Sequence, residues 1–119
     1  MTTITVNPTD LANEMITVAN AAATRYFDEV LGGEDRYACG FAWVTVYPEF
    51  KGNTKAGKTE RRVLESMGFR KDWTGKSYQY WNPSKFPCQN VDTLEAGARA
   101  AADLLKNYGF KAYAGSRLD

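Results

Sequence analysis

Gly52-Asn53-Thr54-Lys55-Ala56-Gly57-Lys58-Thr59 spells G-x-x-x-x-G-K-T, the pattern of a phosphate-cradling loop set between a buried parallel strand and its helix. Taken at face value it predicts a parallel-sheet nucleotide hydrolase. Three neighbouring features argue for a different fold. Pro48-Glu49-Phe50-Lys51 separates Gly52 from the preceding strand, whereas a phosphate loop follows its strand almost directly. No later apolar strand ends in Asp, so the magnesium-binding carboxylate of such a hydrolase is missing. The chain beyond Thr59 is too short for the usual parallel sheet. What survives is a basic helix start. Lys51, Lys55 and Lys58 lie where free N–H groups and the helix dipole attract anions. Asn53 and Thr54 are placed to cap that helix or to hydrogen-bond a ligand. The same lysines also read as a solvated face.

Working outward, residues 37–47 alternate. Cys39, Phe41, Trp43, Thr45 and Tyr47 interleave with Gly40, Ala42, Val44 and Val46, the period of a strand with one small aliphatic and one aromatic face. Before it, an Ala-rich helix over 8–31 starts at Pro8 and stops at Gly32-Gly33. Leu11, Met15, Val18, Ala22 and Tyr26 form one stripe, and Ile16, Ala19, Ala23, Phe27 and Val30 another. Two stripes on a helix roughly 30 Å long suit contact with a second subunit as well as with the chain's own core.

After the Gly52 loop, 58–67 reads as a helix stopped by Gly68. A strand over 69–73, a turn at Thr74-Gly75 and a strand over 76–82 make a hairpin, with Tyr78 and Tyr80 on one side and Trp81 on the other. Asp92 and Glu95 form a capping pair for a helix whose buried side is Leu94, Ala98, Ala101 and Leu105. Gly97 inside it marks a close backbone approach. A last strand covers 110–116. The order is a helix followed by β-α-β-β-α-β. It predicts an α+β fold: a ferredoxin-like antiparallel sheet over 37–119 with an added long N-terminal helix over 1–33, in a single domain 1–119. Two helices cover one sheet face. The other is open unless the first helix or another subunit covers it.

Composition narrows the function. The chain has 15 basic and 14 acidic residues, a net charge of +1, which disfavours a long nucleic acid as ligand. No apolar run is long enough to cross a membrane. Met1-Thr2-Thr3-Ile4-Thr5-Val6 lacks the pattern of a signal peptide, so the protein is expected to stay where it is made. Cys39 and Cys88 lack metal-site spacing and read as small hydrophobes. With no histidine in the chain, Ser-His-Asp and Cys-His catalysis and most zinc chemistry are excluded. No carboxylate pair has acid–base spacing. We expect a non-enzymatic protein with no catalytic residue, metal or cofactor.

Aromatic residues are frequent, with three Trp, seven Tyr and six Phe. On an open sheet face Phe41, Trp43, Tyr47, Tyr78 and Tyr80 would stack on bases; beneath the first helix they would be core. Asn90 and Asp92 can read a base or ribose edge, although Asp92 is also a good helix cap. Arg117 suits bidentate phosphate contact, or a solvated tail.

From Gly40 onward a set of short motifs stands out: Gly40-Phe41-Ala42-Trp43-Val44, Gly52-Asn53-Thr54-Lys55, Trp81-Asn82-Pro83-Ser84, Gln89-Asn90-Val91-Asp92, Glu95-Ala96-Gly97-Ala98-Arg99 and Ala112-Tyr113-Ala114-Gly115-Ser116-Arg117. As a set it resembles a widespread family of small tailed-bacteriophage proteins. The resemblance implies phage counter-defence: an oligomer in the cytoplasm of the infected bacterial host, sequestering cyclic nucleotides that trigger systems such as CBASS and Thoeris.

The expectation is therefore a homo-oligomeric sponge that binds a cyclic di- or trinucleotide, or a cyclic ADP-ribose-type signal, without cleaving it. Lys51, Asn53, Thr54, Lys55, Lys58 and Arg117 would hold phosphate. Tyr80 or Trp81 would stack on a base, and Asn90 would read its edge. The alternatives are a single-stranded RNA-binding module using the aromatic sheet face, a small NTPase, and an inhibitor of a host protein.

Overall fold

Asn7 starts the first helix. Its side-chain oxygen accepts a hydrogen bond from the Asp10 N–H at 3.1 Å, and Pro8 occupies the first turn, where its missing donor costs nothing. The computed structural model describes residues 7–35 and 37–119; the leader-free start expected for residues 1–6 lies outside the described residues. Helix α1 runs Pro8–Glu29 and buries Leu11, Met15, Ala19 and Ala23. This i+4 line crosses both expected stripes, and Val30 at the helix end is 57 % exposed.

Strand β1 (Gly40–Tyr47), helix α2 (Lys55–Met67), strands β2 (Arg70–Lys71) and β3 (Tyr78–Trp81), helix α3 (Val91–Asn107) and strand β4 (Lys111–Leu118) follow. The fold is α+β. The strands form one four-stranded sheet in the order β2-β3-β1-β4, with every neighbouring pair antiparallel. β2 is shorter than expected and pairs at only two positions, Arg70 with Gln79 and Lys71 with Tyr78. β3 therefore runs on past it.

All three helices lie on one side of the sheet. Leu11 and Met15 of α1, Val63, Leu64 and Met67 of α2, and Ala101, Ala102 and Leu105 of α3 share one core with Val44, Val46, Tyr78 and Ala112. Burial on this scale is the main favourable term for a domain of this size. α1 packs on α3 and α2 and does not cover the opposite sheet face. Gly97 is the close approach that the sequence predicts: a Cβ there would lie 2.7 Å from Ser84 Cβ and 3.1 Å from the Ala19 carbonyl oxygen. Among the described residues, no helix is long and apolar enough to cross a membrane.

Candidate ligand-binding surface

In the Gly52 loop, Thr54 caps α2. Its hydroxyl accepts from the Gly57 N–H at 3.0 Å and donates to the Lys51 carbonyl at 2.7 Å. α2 thus begins three residues earlier than the sequence periodicity indicates. Gly57 is required because a Cβ would overlap the Lys51 carbonyl oxygen. Thr59, the magnesium ligand of a true phosphate loop, donates its hydroxyl to the Lys55 carbonyl at 3.0 Å. Glu60 is buried beneath the loop. Its carboxylate accepts from the Glu49 N–H at 3.0 and 2.9 Å and from the Phe50 N–H at 3.1 Å. Arg61 ties the carbonyls of Phe50 and Gly57 at 2.9 and 3.0 Å. Gly57, Thr54 and Thr59 of the loop are thus accounted for by a capped turn on a buried carboxylate. Lys51, Asn53, Lys55 and Lys58 are exposed around it.

The sheet face away from the helices is different in character. The β1 pairing register places Phe41, Trp43, Thr45 and Tyr47 outward, opposite Trp81 and Gln79 of β3 and Lys111, Tyr113, Gly115 and Arg117 of β4. Arg70 joins them through its pairing with Gln79. Five aromatic residues and three cations share this face, and no strand position on it holds a carboxylate. Trp43 and Trp81 stack, with ring centroids 4.7 Å apart and planes inclined by 26°. Phe41 meets Trp81 edge-on at 6.1 Å. The Arg117 guanidinium lies 5.5 Å from the Phe41 ring and 5.9 Å from that of Trp81. Gly115 makes room for this cluster, since a Cβ there would come within 2.6 Å of Trp43 Nε1. Further along, Tyr47 and Tyr113 pack edge-to-face at 5.9 Å, with Lys106 Nζ 5.3 Å from the Tyr113 ring. Phe41, Trp81, Tyr47 and Tyr113 remain 39, 45, 47 and 53 % exposed.

Tyr78 and Tyr80, grouped with Phe41, Trp43 and Tyr47 by sequence, do not share this face. Register pairs them with Val46 and Val44, which turns both toward the helices. Tyr78 is buried, and its hydroxyl lies 3.4 Å from Glu65 Oε2. Burial, reinforced by the Glu65 charge and hydrogen bond, raises its ionisation above the ordinary tyrosine value. Tyr80 packs on Phe69 at 5.4 Å.

Asn90 is also placed otherwise. It is 1 % exposed and caps α3 by accepting from the Thr93 N–H at 2.8 Å and the Thr93 hydroxyl at 2.9 Å. The expected cap, Asp92, sits in the first helical turn. The Cys39–Asn90 bridge and the Asp35 carboxylate, which accepts from the Asn90 N–H at 3.1 Å, hold the chain extended up to Asn90.

The expected binding residues thus fall in separate places. Trp81 and Arg117 meet on the open face. Tyr80 and Trp81 line a cleft of about 260 Å³ at the sheet edge, with Gly68, Arg70, Gln79 and Lys85. The lysines of the Gly52 loop lie beyond Tyr47, and Trp43 alone is roughly 13 Å back along β1 from Tyr47. A larger groove of about 620 Å³ between α1 and α3 is lined by Asp92, Glu95 and Asp103 with Arg99, a charge balance that disfavours phosphate. Tyr113 and Gly115, quoted only as part of a motif, and Arg70 and Lys85 were given no binding role by sequence. The alternation Lys111, Tyr113, Gly115, Arg117 carries the signal for the first two, and nothing local marks the others. Compared with protein-family models, curated proteins and solved structures, the chain matches none, and the site is defined by its own residues.

Proposed function

We propose that this protein binds nucleobases on its open sheet face, with a short single-stranded nucleic acid as the ligand. The observation that carries this reading is the Trp43–Trp81 stack, with Trp81 exposed, beside Arg117, at strand positions that hold no carboxylate. Base–aromatic stacking is worth about 1–3 kcal/mol per base. The finer fold assignment belongs here too. The β-α-β-β-α-β order after α1 and the all-antiparallel order β2-β3-β1-β4 support a ferredoxin-like arrangement, a topology that RNA-binding sheets use.

A second reading is sequestration of a cyclic dinucleotide during phage infection. The net charge of +1 favours it, because a ligand with two phosphates needs only two or three cations. On this reading a second copy of the chain would close over the flat face.

Fluorescence titration separates the two. In a Trp73→Phe background the remaining tryptophans are both on the face. Quenching by hexanucleotides, lost with Trp81→Ala, is the expected result. Quenching by cyclic di- or trinucleotides or cyclic ADP-ribose isomers alone would replace the first reading with the second. No quenching by any of them at millimolar concentration would overturn both.

A further inference from the structure

We propose that the edge cleft between Arg70 and Lys85 is a phosphate site, which holds the phosphate of a nucleotide whose base lies on Trp81. The proposal rests on the base-stacking reading above and names the group that complements it.

The cleft exists because β2 stops early. β3 pairs with β2 only through Tyr78 and Gln79, so Tyr80 and Trp81 border open space of about 260 Å³. Its lining includes two cations, Arg70 and Lys85, and no carboxylate. Among the described residues the ion pair present joins Arg99 to Glu95, and neither cation of the cleft is neutralised. A guanidinium and an ammonium lining one small space suit a phosphate, through the bidentate fork of Arg and the point charge of Lys.

Lys85 is held in place rather than trailing in solvent. Its backbone is in the left-handed region, φ 56°, as is Asn82 at φ 46°, conformations that cost a non-glycine residue about 1 kcal/mol or more. The neighbouring Ser84 is completely buried. Its hydroxyl donates to Asn82 Oδ1 at 2.9 Å and accepts from the Phe86 N–H at 3.1 Å, while its carbonyl accepts from Asn20 Nδ2 at 3.0 Å. This anchored turn sets Lys85 Nζ 4.6 Å from the Tyr80 ring centre. On the opposite wall, a Cβ at Gly68 would come within 3.0 Å of the Tyr80 ring. Trp81 lines the same cleft and stacks on the open face, so a base and its own phosphate can engage both at once.

The test compares adenosine with adenosine 5′- and 3′-monophosphate in the Trp73→Phe protein, by tryptophan quenching at low salt. At least one monophosphate should bind about 10- to 100-fold tighter than adenosine, the range for a charge-assisted hydrogen-bond pair. Arg70→Gln with Lys85→Gln should abolish that preference. Both side chains are exposed, so the fold should tolerate the changes. Equal binding of adenosine and both monophosphates, or a preference that survives the double substitution, overturns the phosphate site while leaving base stacking intact. If none of the three binds, the phosphate site is overturned, and the hexanucleotide titration decides the stacking reading separately.

Discussion

Trp43 and Trp81 lie directly opposite each other on β1 and β3, and their rings stack with centroids 4.7 Å apart. The pair is open to solvent on one side and backed by Gly115 on the other strand. Aromatic cross-strand pairs contribute about 0.5–1.5 kcal/mol beyond area burial, which does not by itself explain leaving so much apolar surface exposed. Trp81→Ala should therefore lower stability by only about 1 kcal/mol while weakening hexanucleotide binding about 10- to 100-fold. Urea denaturation and fluorescence titration measure the two effects. A large stability loss with unchanged affinity would assign the pair to the fold alone.

The Gly52 loop makes the converse prediction. Gly57→Ala forces a Cβ onto the Lys51 carbonyl and should destabilise by about 1–3 kcal/mol or more. Glu60→Ala leaves the Glu49 and Phe50 N–H groups without their acceptor and should cost about 2–4 kcal/mol. Lys58→Ala should change stability by less than about 0.5 kcal/mol and leave hexanucleotide binding within about twofold, apart from general electrostatic attraction. Denaturant midpoints and binding isotherms for the three variants check the assignment.

Asn90→Ala removes a buried helix cap with two hydrogen bonds. It should cost about 1–2 kcal/mol and should not alter which base is preferred. A changed base preference at constant stability would restore Asn90 to a recognition role.

Alkaline pH should weaken the fold through Tyr78. Burial, then Glu65, raises its folded-state ionisation above the ordinary 10.0. The stability this group contributes is complete below that value and is lost as pH rises through the higher, folded-state one. Burial of Cys88 acts in the same direction from its ordinary 9.0. Tyr78→Phe should lose about 1 kcal/mol near neutrality, with its hydrogen bond, and show a shallower decline toward pH of about 11. Urea midpoints against pH for both proteins test this; parallel curves would contradict it.

Much of the architecture was legible because β1 alternates cleanly and because Gly68 and Gly32-Gly33 mark helix ends. The open face was half legible. Alternation separated Phe41, Trp43 and Tyr47 from the aliphatic side of β1. In Tyr78-Gln79-Tyr80-Trp81 aromatics fall on both sides, and local pattern cannot say which side faces the helices. Pairing with Val44 and Val46 decides it. Asn90 and Asp92 are both good caps two residues apart, and only the distant Cys39 and Asp35 contacts select Asn90. In the G-x-x-x-x-G-K-T match, Gly57 answers to its close approach to the Lys51 carbonyl and Thr59 bonds the Lys55 carbonyl, while the helix cap, Thr54, falls at a free position of the pattern. The edge cleft depends on where β2 stops and on a left-handed Lys85, neither of which a one-dimensional pattern encodes.

The most direct measurement is a two-dimensional ¹H–¹⁵N spectrum of the uniformly labelled protein, titrated with a single-stranded hexanucleotide. The three tryptophans provide indole N–H signals that report on the face and on the hairpin tip, where Trp73 is 95 % exposed. The signals of Trp43 and Trp81 should shift together with the backbone amides of Phe41, Tyr113 and Arg117, while Trp73 stays in place. Shifts confined to the amides from Lys51 to Thr59, with both indoles of the stacked pair unmoved, would contradict the account.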